Sequence, residues 1–103
     1  MEETVLHAAV EKNNYNIVEL LCKNPEIDVN AIMKITVTIE GSEYVVTKAS
    51  LHMSVLLRYI EIIKILLKNP KIDINIKDNE GKSPCDQIDD EQIVSLFEMA
   101  NSF

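Results

Sequence analysis

The chain repeats itself at a fixed offset. Leu6-His7 returns as Leu51-His52, Ile17-Val18 as Ile62-Ile63, and Asn24-Pro25-Glu26-Ile27-Asp28-Val29-Asn30 as Asn69-Pro70-Lys71-Ile72-Asp73-Ile74-Asn75, every pair 45 residues apart. Self-similarity at a period of tens of residues is the signature of stacked supersecondary units, and it constrains the fold more than any single segment does. A third, shorter copy opens at Gly81-Lys82-Ser83-Pro84-Cys85-Asp86, with Cys85 lying 34 residues after Leu51. The underlying period is therefore about 34 residues, and the first interval carries an insertion of about 11.

Inside each copy the apolar spacing is helical. Val5, Leu6, Ala9 and Val10 make one short stripe and Ile17, Val18, Leu20 and Leu21 a second, so each copy reads as a helix pair. The Asn13-Asn14 step between them suits a tight connection, because Asn tolerates the left-handed backbone region. Pro25 and Pro70 stop the second helix of their copies. A lone helix pair cannot bury its apolar face, so the copies are expected to stack and share one core.

These features resemble the ankyrin repeat, and the resemblance covers nearly the whole chain. Thr4-Val5-Leu6-His7-Ala8-Ala9 is similar to the family's Thr-Pro-Leu-His-x-Ala signature, Ile17-Val18-Glu19-Leu20-Leu21 to its second helix, and Asp28-Val29-Asn30-Ala31 to its exit. Copy two departs at Ala49-Ser50 for the Thr-Pro and copy three at Cys85-Asp86 for the Leu-His; neither departure breaks the apolar register. Ile76 to Pro84 resembles the family's finger loop and helix start, with Gly81 where positive φ is usual. The resemblance implies an all-α repeat fold, an ankyrin-type solenoid of helix pairs, and the residues of the insertion add to it a β-hairpin inserted in one finger loop. It also implies a single domain over residues 1–103: repeat 1 at about 2–32, the inserted hairpin at about 33–48, repeat 2 at about 49–80 and a short C-terminal capping repeat at about 81–103.

The insertion has its own period. Lys34-Ile35-Thr36-Val37-Thr38-Ile39 and Glu43-Tyr44-Val45-Val46-Thr47 are β-branched runs flanking Glu40-Gly41-Ser42, which predicts a hairpin projecting from the finger. A two-stranded hairpin is marginal alone in water, so it leans on a neighbouring finger or on a partner. An exposed hairpin edge can also accept an added strand.

Charge narrows the function classes. The 103 residues carry 17 acidic and 10 basic side chains, a net charge of −7, and residues 73–103 hold −6 of it with only Lys77 and Lys82 as bases. Such a molecule repels polyphosphate, so neither nucleic acid nor an anionic membrane is the expected partner. Two cysteines and an acidic Met1-Glu2-Glu3 start fit no disulfide framework and no signal peptide, which points to an intracellular, cytoplasmic setting. The longest apolar stretches are broken by Glu61, Lys64 and Lys68, far short of a spanning helix.

No catalytic or metal constellation emerges. His7 and His52 recur at one repeat position, and the resemblance gives that histidine a structural role, bonding backbone to hold one repeat against the next. Cys22 aligns with Leu67 and Cys85 with Leu51, so both thiols occupy apolar core positions and supply no ligands to a zinc site. Asp86, Asp89, Asp90 and Glu91 lack the alternating ligand spacing of a calcium loop; Asp89 or Asp90 reads instead as the N-cap of a helix running from Glu91 to about Met99 and carrying Ile93, Val94, Leu96 and Phe97. There is no Gly-rich phosphate loop, no nucleophile with a base and no paired carboxylates in a cleft. The expectation is no cofactor, no metal and no enzyme activity.

Surface recognition remains. At the end of the first helix copy one has Glu11-Lys12-Asn13-Asn14, whereas copy two has Leu56-Leu57-Arg58-Tyr59. By the resemblance this position lies on a concave, partner-facing side, so Leu56, Leu57 and Tyr59 are candidate contacts, joined by Glu11, Lys12 and the finger residues Lys77, Asn79, Glu80 and Lys82. Exposed leucines beside an aromatic and an Arg are typical of binding patches. The two other readings are that the hairpin folds over the leucines as core, and that they meet a second copy of the chain. The function implied is a non-catalytic scaffold or adaptor binding an unidentified protein, with a homo-oligomerisation module, such as a homodimer, or the targeting segment of a larger enzyme or effector as alternatives.

Overall fold

The computed structural model describes residues 4–88 and 90–101. In chain order the elements are α1 (Val5–Glu11), α2 (Tyr15–Cys22), β1 (Ile32–Ile39), β2 (Ser42–Ala49), α3 (Ser50–Leu56), α4 (Ile60–Lys68), a 3₁₀ turn (Pro84–Gln87) and α5 (Glu91–Asn101). The two helix pairs have the same internal layout. α1 packs on α2 and α3 on α4, and between the pairs α1 lies on α3 and α2 on α4. α5 continues the second row by packing on α4, and the 3₁₀ turn continues the first by packing on α3.

One core runs through these layers. Leu6, Val10, Val18, Leu51, Ile62, Ile63, Leu66 and Ile93 are almost completely buried, each contributing roughly 1.5–3 kcal/mol by leaving water. The expected stripes need correction at three positions. Val5, Ile17 and Leu20 are exposed, whereas Ser50 and Ile62, which stand 45 residues after the first two, are fully buried. The reason is stacking: the first pair covers the second, and among the described residues no helix covers the outer side of the first. In α1 the buried face is Leu6, His7, Ala9 and Val10.

The repeated sequence tag does repeated work. Asn24 and Asn69 each accept a backbone N–H two residues on, from Glu26 and Lys71, and Asp28 and Asp73 do the same for Asn30 and Asn75. These Asx turns fold the chain back after each second helix. Asn30 then bridges the copies, its Nδ2 donating to the Lys71 carbonyl at 2.8 Å while its Oδ1 accepts the Asp73 N–H at 2.7 Å. Ile27 and Ile72 tuck against the core from the same turns.

The turns inside the pairs are also equivalent. Asn13 sits at φ 53° and Arg58, 45 residues later, at φ 59°. Asn14 caps α2 by accepting the Ile17 N–H. The segment that follows the second finger is more compact. Ten residues separate the starts of the paired helices in the first two copies, but only seven separate Pro84 from Glu91, and a 3₁₀ turn stands there in place of a first α-helix. Asp90 is the N-cap of α5: its carbonyl accepts from Val94 and its carboxylate from Gln92. Asp89, the other expected cap, lies outside the described residues, and α5 runs two residues beyond Met99.

The hairpin is longer than its β-branched runs suggested. β1 and β2 pair antiparallel from Ile32↔Ala49 to Ile39↔Ser42. The turn is Glu40-Gly41 alone, at φ 50° and 80°, the two-residue type I′ geometry that matches strand twist; Ser42 already belongs to β2. β2 passes into α3 with no intervening loop.

Candidate functional site

The hairpin neither covers Leu56 and Leu57 nor stands clear of them. Both leucines are about half exposed, at 52% and 45%. They form one wall of a groove of about 410 Å³ whose other wall is the hairpin face carrying Ile35, Val37 and Val46. Met53 and the stem of Lys48 make its floor and Glu11 reaches its rim. The lining is thus mostly aliphatic on both sides and open to solvent, an arrangement suited to apolar side chains presented from outside.

Alternation builds the hairpin wall. Met33, Ile35 and Val37 share one face of β1 and pair with Lys48, Val46 and Tyr44 of β2. Burial falls along that face from Met33, at 2%, through half-buried Ile35 and Val37, to exposed Ile39 at the tip. The groove is therefore dry at the base of the hairpin and wet at its end.

Three contacts fix the hairpin's position, and Lys48 is central to them. Its carbonyl accepts the His7 Nε2–H at 3.1 Å, and its ammonium lies 2.7 Å from Asp78 Oδ2 in a buried pair. Asp78 Oδ1 meanwhile accepts the backbone N–H groups of Glu80 and Lys82 at 2.8 and 2.9 Å, which shapes the finger loop around Gly81 at φ 76°. Burial alone would raise the Asp78 carboxyl, but the ammonium and these two donors outweigh it and bring it from 3.8 down to about 2. Asn79 then clasps the outer edge of β2, its side chain accepting the Thr47 N–H and donating to the Val45 carbonyl, while its own N–H donates to Thr47 Oγ1.

The recurring histidines work alike. His52 accepts the Ala49 N–H on Nδ1 at 3.2 Å and donates from Nε2 to the Lys82 carbonyl at 2.9 Å, so its partners require the neutral Nε2–H ring. His7 meets Thr4 Oγ1 on Nδ1 and Lys48 on Nε2. Each joins the start of its own helix to the next finger. In the 3₁₀ turn Asp86, 34 residues after His52, accepts the Ser83 N–H on its carboxylate at 2.8 Å. That bond, set against some desolvation and helped by Lys77 and Lys82, holds the Asp86 carboxyl below its ordinary value. A carboxylate has no proton for a further carbonyl, so this turn keeps the local bond without the bridge.

The remaining expected contacts separate. Tyr59 does not line the groove with the leucines; it is the N-cap of α4 and packs half-buried against the core. Glu11 reaches the groove, while Lys12 is exposed beside it as the C-cap of α1. Lys77, Glu80 and Lys82 are exposed on the second finger. Asn79 is exposed too, but its amide is engaged with the hairpin. The hairpin residues Ile35, Val37 and Val46 were absent from the expected set, although their period-2 spacing in the sequence marks them as one apolar face. Cys22 and Cys85 are half-buried against the core, and burial pushes both thiols up, which keeps them protonated; the Asn69 hydrogen bond offsets part of this at Cys22 and Asp86 adds to it at Cys85.

Among the described residues no helix is long and apolar enough to cross a membrane. A family model described as ankyrin repeats (3 copies) matches residues 1–78. No curated protein and no solved structure matches the chain.

Proposed function

The chain belongs to the ankyrin-repeat family, whose members are generally protein-interaction modules, and on that premise we propose that it is a non-catalytic intracellular scaffold that binds a protein partner in the groove between the hairpin and α3. The observation that carries this reading is the exposure of Leu56 and Leu57 opposite Ile35, Val37 and Val46. At the equivalent place the first pair presents Glu11 and Lys12, which need no cover. Two half-exposed leucines facing a β-branched wall leave apolar area in water, and covering each would yield up to roughly 1.5–3 kcal/mol. The partner would offer apolar side chains from a helix or extended segment. Its flanks would be neutral or basic, because the chain carries −7 and its C-terminal third −6 of that. Lys77, Glu80 and Lys82 on the second finger, with Lys12 beside the groove, would be rim contacts that adjust rate and selectivity more than affinity.

In this reading the functional unit is one domain: a first helix pair at about 2–32, the hairpin at about 33–48, a second pair at about 49–80 and a capping copy at about 81–103, stacked as a short solenoid. A photo-crosslinking side chain placed at Val37, in the wild type and in a Leu56→Glu, Leu57→Lys double variant with an unchanged urea midpoint, tests it. Capture of one protein by the first and its loss in the second is the expected result. Capture of the same proteins by both would place the functional surface elsewhere.

A further inference from the structure

The two edges of the hairpin are not equivalent. In a two-residue hairpin the pair flanking the turn is hydrogen-bonded and pairs then alternate, so with Ile39↔Ser42 in register the residues Lys34, Thr36 and Thr38 of β1 and Glu43, Val45 and Thr47 of β2 aim their backbone groups outward. On β2 two of those outward groups, at the middle of the strand, are met: Asn79 binds the Val45 carbonyl and the Thr47 N–H, as a neighbouring strand would. Among the described residues nothing bonds the outward groups of Lys34, Thr36 or Thr38. Nor does β1 carry the usual protection of an open edge. It has no Pro and no bulge, and Lys34 is the one charge in Ile-Met-Lys-Ile-Thr-Val-Thr-Ile.

From this asymmetry we infer that the β1 edge pairs with β1 of a second copy of this chain, antiparallel and centred on Thr36, giving a four-stranded sheet across a two-fold axis. Charge selects a second copy as the occupant. Residues 32–49 contain Lys34 and Lys48 against Glu40 and Glu43, a net charge of zero within a chain of −7, so this is where two such acidic molecules can meet with least repulsion. The side chains select the register. With Thr36 opposite Thr36 of the partner, Lys34 faces Thr38, and Ile35 faces Val37 on the groove side, so apolar meets apolar and no like charges oppose. A register shifted two residues toward the start of β1 would set Lys34 against Thr36 and Thr38 against Ile32, and one shifted four would oppose the two lysines. The centred pairing forms about six backbone hydrogen bonds, two in each of its three hydrogen-bonded pairs. Two-fold symmetry closes the assembly at a dimer.

The test is mass in solution against concentration, by light scattering and sedimentation equilibrium, on the wild type, Thr36→Pro, Thr36→Cys and Thr38→Cys. Proline at 36 removes an outward N–H and no bond of the β1–β2 ladder, so it should abolish dimerisation while leaving the urea midpoint nearly in place. Oxidation should link Thr36→Cys into a covalent dimer and leave Thr38→Cys unlinked, a readout that stands even if the proline variant folds poorly. The Leu56→Glu, Leu57→Lys variant should dimerise like the wild type, which separates this proposal from the groove. A wild type monomeric at every concentration would overturn the inference. So would a dimer that survives Thr36→Pro, or equal crosslinking at positions 36 and 38.

Discussion

Replacing Asp78 by Asn removes the charge that ties the hairpin to the second finger while keeping the size of the side chain. Asp78 is held at about 2 in the folded protein against an ordinary 3.8, a difference that corresponds to about 2 kcal/mol of folding free energy at neutral pH. The sign follows from the direction of that displacement. A depressed carboxyl stabilises the fold fully above the unfolded value near 3.8 and loses that contribution as pH falls through about 2. Urea titrations of the wild type and Asp78→Asn between pH 7 and pH 3 should therefore show a gap of about 2 kcal/mol that is flat down to pH 5 and smaller by about 1 kcal/mol at pH 3. Comparing the two proteins cancels the other carboxylates. Lys48→Met should cost somewhat more, about 3 kcal/mol, because it strands a buried carboxylate, and should cost little in the Asp78→Asn background. A gap that does not change with pH, or additive single and double variants, would refute the argument that this ion pair holds the hairpin.

Three further outcomes follow from local features. Arg58 occupies the left-handed region at φ 59° where Asn13 stands in the first pair, so Arg58→Asn should raise stability by about 0.5 kcal/mol despite losing its exposed 3.8 Å contact with Asp90, seen as a higher urea midpoint with unchanged slope. The Ser50 hydroxyl is buried and meets no partner among the described residues, so Ser50→Ala should stabilise by up to about 1 kcal/mol in thermal melts. Asp90→Ala removes the N-cap of α5 and should cost about 1 kcal/mol, with amide exchange accelerated first at Gln92.

The repeat made most of the architecture legible. An offset of 45 positions located both helix pairs, the Asx turns and the paired positive-φ sites, because each role recurs with its residue. Composition located the hairpin, since Ile-Thr-Val-Thr-Ile alternates at period 2 where the helices do not. What escaped the sequence depended on neighbours. Ile17 read as core because its counterpart Ile62 is apolar and buried, and Val5 and Leu20 because their spacing continues the helical stripes, yet burial there needs something stacked outside the first pair. Tyr59 looked like a partner of Leu56 and Leu57, but the positive-φ turn at Arg58 separates them and Tyr59 begins α4 packed against the core. Half of the groove was missed for a similar reason: the hairpin residues were legible as strands, while the wall they would face depends on Lys48 meeting Asp78 across 30 residues.

The position of Lys48 bears on how the molecule comes apart. Arrays of stacked helix pairs tend to fray, because each unit touches only its neighbours and an outer one can open alone. Here the carbonyl of one residue takes the histidine of the first pair while its ammonium takes the aspartate beyond the second. Opening either pair leaves Lys48 with a buried group unmet, so the penalty for half-unfolding falls on both halves at once. The insertion thereby converts two adjacent units into one cooperative unit, in which exchange of the hairpin amides and of the helix amides should report the same opening event.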